Sequence, residues 1–113
     1  MAKTLNFNSV KKHYLTVTLA DERNTTLLVG TPTKAIFDHL TRLKSSLETL
    51  SEDETDVDAT DDLYDACAKV MSRNKSGVKV TKEYLENVFD FEDVMIFFSN
   101  YMEFISEVAN SKN

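Results

Sequence analysis

The chain has 113 residues, 42% of them hydrophobic and 28% charged, which fits one soluble globular domain large enough to bury a core without staples. A net charge of -6 and a pI near 4.8 argue against nucleic-acid binding through phosphate neutralisation. The lone Cys67 cannot form an internal disulfide, so a reduced compartment is expected.

The first twelve residues hold no apolar run of signal-peptide length, and the longest strictly apolar run, at 94–98, is too short to span a bilayer. An intracellular chain without membrane contact is the expectation. Two glycines and one proline leave little room for a phosphate-cradling loop.

From His13 onward Leu15, Val17 and Leu19 alternate with Tyr14, Thr16 and Thr18, the period of a half-buried strand. Polar residues at 20–24 supply a turn, and residues 25–29 read as a second strand. Residues 5–8 could add a short third one. Two strands alone are marginal in water, so this hairpin region, residues 1–30, must lay its apolar face on a helix.

Gly30-Thr31-Pro32 is the clearest punctuation. Thr31 suits the cap of a helix over 31–50 and Pro32 its first position, where a missing N–H costs nothing. Ile36, Leu40, Leu43, Leu47 and Leu50 form its stripe, with Phe37 beside it. His39 borders that stripe with no partner suggested by spacing.

Nine acidic residues and no Lys or Arg lie between Glu48 and Asp65; without them the rest of the chain carries +3. Residues 51–60 therefore read as a self-repelling acidic linker. The run from Asp56 to Thr60 starts like a calcium loop, but the sixth position is Asp61 instead of Gly and the twelfth is Cys67 instead of Glu.

The part at 61–109 reads as helical. Thr60 is placed to cap a helix with Leu63, Cys67, Val70 and Met71 on one face and Tyr64 and Ala66 at its border. Asn74-Lys75-Ser76-Gly77 should end it, Thr81 should cap a brief helix over 82–89, and Asp90 should open the last one. The fold class expected is α+β, mostly α, with an N-terminal β-hairpin followed by three to four helices.

The last segment, residues 91–108, stacks Val94, Phe98, Tyr101, Ile105 and Val108 on one face, while further apolar residues widen the arc beyond the roughly 100° that a surface helix buries. Two readings stay open. The arc is either the centre of a small core, or it holds a partner through Met95, Phe97, Phe98, Tyr101, Met102 and Phe104, side chains of kinds that repack against varied apolar surfaces. No G-x-S-x-G elbow, His-x-x-x-His or Cys-x-x-Cys spacing occurs, so neither catalytic, cofactor nor metal residues are assigned, and no enzyme is expected.

The order of elements, with the G-T-P-T helix opening, the acidic linker, N-K-x-G at 74–77, V-T-x-E-Y-L at 80–85 and Y-M-x-F-I at 101–105, resembles the tail assembly chaperones of siphophages that infect Gram-positive bacteria. The resemblance implies a non-enzymatic, homo-oligomeric protein without cofactors. Such a protein holds the aggregation-prone tape measure protein in the host cytoplasm and is not retained in the mature virion. It also implies a frameshifted longer form that recruits the tail tube protein; the ending Ser111-Lys112-Asn113 is compatible with an A-rich slippery run. Two other classes are kept beside it: a small structural virion or connector protein, and an acidic nucleic-acid-mimic inhibitor.

Overall fold

The computed structural model of the chain describes residues 4–7, 11–19, 21–48 and 57–110, with Val57 described by its backbone alone. Two strands, β1 (Leu15–Thr18) and β2 (Thr26–Val29), precede four helices: α1 (Lys34–Glu48), α2 (Val57–Met71), α3 (Lys82–Val88) and α4 (Phe91–Asn110). The class is α+β, mostly α, as the patterning predicts.

β1 and β2 pair antiparallel in the register Leu15↔Val29, Val17↔Leu27. The alternation turns Leu19, Leu27 and Val29 into the core and leaves Thr16 and Thr18 in solvent. Asp21 clasps the turn. Its carboxylate accepts from Thr25 N–H at 2.9 Å, from Thr25 Oγ1 at 2.6 Å and from the Tyr84 hydroxyl at 2.9 Å, fastening the hairpin tip to α3. A third strand does not form over 5–7, where Leu5 and Phe7 are exposed; Asn8 lies outside the described residues.

Three expectations shift at the helix starts and at the centre. α1 is capped by Thr33, whose Oγ1 accepts from Ile36 N–H at 3.3 Å, so Pro32 precedes the cap and Thr31 is not the cap. Thr31 is occupied elsewhere: its carbonyl accepts from Arg73 Nε at 3.1 Å, which ties this corner to the end of α2. Leu50 lies outside the described residues.

α2 opens at Val57, not after Thr60. The expected linker over 51–60 therefore ends in helix, and its remainder falls outside the described residues. Acids in the first turns suit the positive helix pole. Ala59 is buried, which anchors the added turn.

The central element is α2 and not α4. It packs against α1, α3, α4 and β2, and Leu63, Tyr64, Ala66, Cys67, Ala68, Val70 and Met71 are all buried. Small side chains on several faces let neighbouring backbones come close on more than one side. Past Met71 the chain turns on Asn74, whose side-chain amide donates to the carbonyls of Met71 (2.8 Å) and Val78 (2.6 Å) and whose Oδ1 accepts from Val78 N–H. Gly77 supplies the left-handed residue, with φ of 74°.

The later caps form where expected. Thr81 Oγ1 accepts from Tyr84 N–H at 3.1 Å, and Asp90 and Asp93 exchange side-chain bonds with each other's N–H in a reciprocal cap. Tyr64 donates to Phe89 C=O and Tyr101 to Gly30 C=O, each at 2.8 Å, so α2 and α4 are keyed to the joints of the chain by single hydroxyls.

Candidate partner-binding surface

α4 spends most of its apolar arc inside the protein. Val94, Phe97, Phe98, Tyr101 and Phe104 are buried, the rings of Phe97 and Tyr101 stacking at 5.7 Å and those of Tyr101 and Phe104 lying tilted at 5.9 Å. Burial raises the Tyr101 hydroxyl above its ordinary pKa, so it stays a proton donor to Gly30. Of the six residues proposed from sequence to meet a partner, Phe97, Phe98, Tyr101 and Phe104 are therefore core side chains in this fold. The reason is demand: α2 needs cover on several sides, and α4 brings large side chains to one of them.

Met95 and Met102 stand differently. They are half-buried on the neighbouring stripe of α4, and with Phe98 they face Leu47 of α1 across an open groove of about 540 Å3. Lys44, Glu48, Ser99, Glu103 and Ser106 make its polar rim. The stripe repeats at 95, 98/99, 102 and 106, a helical face adjacent to the buried one. α1 and α4 both pack on α2 without packing closely on each other, and the gap between them is the groove. Sequence reasoning missed Leu47 as a groove residue. Its signal was present, since it is the stripe member of α1 that falls beyond the buried Leu40 and Leu43.

Other clusters carry less chemistry. His39 Nε2 lies 2.7 Å from Asp62 Oδ1, a pair that the sequence spacing of 23 residues hid and that fastens α1 to α2. The acids opening α2 mostly face bases of their own chain: Asp61 meets Lys82 at 3.6 Å and Asp65 meets Lys69 at 3.1 Å. Among the described residues no group of three or more His, Cys, Asp or Glu is arranged to hold a metal ion. Of the run from Asp56 to Thr60 that starts like a calcium loop, residues 57–60 are helical and Asp56 lies outside the described residues. Burial pushes the Cys67 thiol up to about 12, which makes it an unreactive core group. Among the described residues no helix is long and apolar enough to cross a membrane.

No family model, curated protein or solved structure matches the chain.

Proposed function

We propose that the chain is a non-enzymatic assembly chaperone whose client is an apolar helical protein, the tape measure protein of a siphophage tail, held in the host cytoplasm until tube subunits enclose it. The groove between α1 and α4 carries the reading. Leu47, Met95, Phe98 and Met102 offer an apolar floor, and a helix laid in such a groove is held by anchors at i, i+3/i+4 and i+7. Methionine adapts its shape to different anchors, which suits a client presenting many similar but unequal stretches. A charged rim of Lys44, Glu48 and Glu103 keeps the loaded complex wet outside.

The family resemblance, which covers most of the chain and is most recognisable over 63–113, suggests the client's identity, and with it the expected longer form that engages the tail tube protein. The reading as an acidic nucleic-acid mimic has less support, because Asp61, Asp62 and Asp65 each already face a base of this chain.

Co-expression of this chain with a tape measure protein, followed by affinity capture and light scattering, tests the proposal. A soluble complex with several copies per client is expected. A client that stays insoluble while this chain elutes alone would sink the proposal and bring the structural virion or connector role forward.

A further inference from the structure

The two edges of the hairpin are unlike. Along an antiparallel ladder, residues alternate between those whose backbone groups face the partner strand and those whose groups face away. Leu19 N–H donates to Thr25 C=O at 2.8 Å, so in the observed register Leu15 and Val17 also bond toward β2, while Thr16, Thr18 and Leu28 turn their N–H and C=O outward. On the β2 side this outer edge is closed: Leu28 C=O accepts from Lys75 N–H at 2.9 Å, and Gly30 N–H donates to Arg73 C=O at 2.9 Å. On the β1 side it is open, since among the described residues the sheet has two strands and β1 has β2 as its sole neighbour.

Natural sheets guard such an edge with lysine, proline, a bulge or a covering segment. The β1 sequence Leu-Thr-Val-Thr has neither lysine nor proline, and its register with β2 runs without a bulge. Beside it a groove of about 330 Å3 runs to α4, floored by Phe97, by half-buried Leu15 and Val17, and by Ile96, which is 57% exposed.

We infer that β1 is a pairing edge for a second copy of this chain, the two β1 strands meeting antiparallel about a two-fold axis at Val17 to make a continuous four-stranded sheet. In that register Thr16 of each copy faces Thr18 of the other, and both outward residues exchange N–H···O bonds. The flanking charges select a second copy over a foreign strand. Lys11, Lys12 and His13 precede β1 and Asp21, Glu22 and Arg23 follow it, so the antiparallel two-fold carried outward sets Lys12 against Glu22 at both ends, and although Lys11 then meets Arg23, the net +2 of residues 11–13 lies opposite the net −1 of residues 21–23. A parallel pairing would set like charges together. The axis is perpendicular to the sheet, which places both α4 helices on one face and brings each exposed Ile96 toward its counterpart. The inference stands on the edge and its charges and is independent of the chaperone reading.

Sedimentation velocity and amide hydrogen exchange on the isolated full chain test it over a concentration series. Mass should rise from monomer to dimer, with the Thr16 and Thr18 amides gaining protection in step. Thr16→Pro removes an outward N–H without touching the β1–β2 ladder and should weaken the dimer by at least about tenfold in Kd. Lys12→Glu and Glu22→Lys should each weaken it too. An equimolar mixture of those two charge variants should restore dimers, because the mixed pair is complementary at both ends. A monomer at every concentration, or an association that Thr16→Pro and the charge variants leave unchanged, would overturn the inference. So would a mixture no better associated than its parts.

Discussion

Replacing Phe97 and Met102 by alanine one at a time separates the core side chains of α4 from those at the groove. Phe97 is 6% exposed and stacked on Tyr101. A phenylalanine ring buries roughly 150–250 Å2, and at about 25 cal/mol per Å2 this is worth about 4–6 kcal/mol. Alanine keeps the Cβ and the site partly relaxes, so truncation should cost about 3–4 kcal/mol, within the range of measured Phe→Ala losses. That is a large share of the roughly 5–15 kcal/mol that holds a domain folded. Met102 is half-buried at the groove, and alanine improves helix propensity there, so its truncation should cost only about 1 kcal/mol. Guanidinium unfolding followed by circular dichroism reads both, as midpoint shifts at constant slope. Client capture should be impaired by Met102→Ala in a protein that remains folded. A Phe97→Ala loss below about 1 kcal/mol, or equal losses for the two variants, would refute the division between core and groove.

Other expectations follow from single groups. Asp21 is lowered from its ordinary 3.8 to about 2, chiefly by the Thr25 hydroxyl and amide with help from Tyr84. A depressed folded pKa contributes stability that is present above the unfolded value and lost as pH falls through the folded one, so the Asp21 contribution should fade between about pH 4 and pH 2. In Asp21→Asn that part of the acid sensitivity should be missing from a pH series of thermal melts. Cys67 should resist alkylating reagents in the native protein and react only as fast as the chain opens, measured by mass spectrometry with and without denaturant. Gly77→Ala should cost about 1 kcal/mol in denaturant unfolding from its positive φ, since open space around its Cβ leaves no steric contribution.

The parts of the fold legible in the sequence are those fixed by near neighbours. Thr81 and Asp90 cap helices through N–H groups three residues on, and the hairpin follows from strict alternation around a polar turn. The role of α2 was not legible. Ala59, Ala66, Cys67 and Ala68 contribute little apolar mass to a stripe, yet their small size lets α2 be surrounded, and the large residues of α4 are then spent covering it. The cap of α1 was misplaced because Pro32 favours Thr31 locally, whereas in the fold the Thr31 carbonyl is taken by the distant Arg73 and Thr33 caps the helix. At the site, periodicity marks α4 as over-rich in apolar residues but cannot divide Phe97 from Met102. That division depends on where α1 ends relative to α4, a packing fact that leaves Leu47 facing the two methionines.

The most direct test of client binding in the α1–α4 groove is methyl NMR of the protein labelled at its four methionines, titrated with a helical segment of the tape measure protein. Met71 is fully buried beneath α2's neighbours and serves as the internal control. The Met95 and Met102 methyl signals should shift saturably while that of Met71 stays in place. Binding that leaves both groove methionines unmoved, or no binding at all, would contradict client binding in this groove.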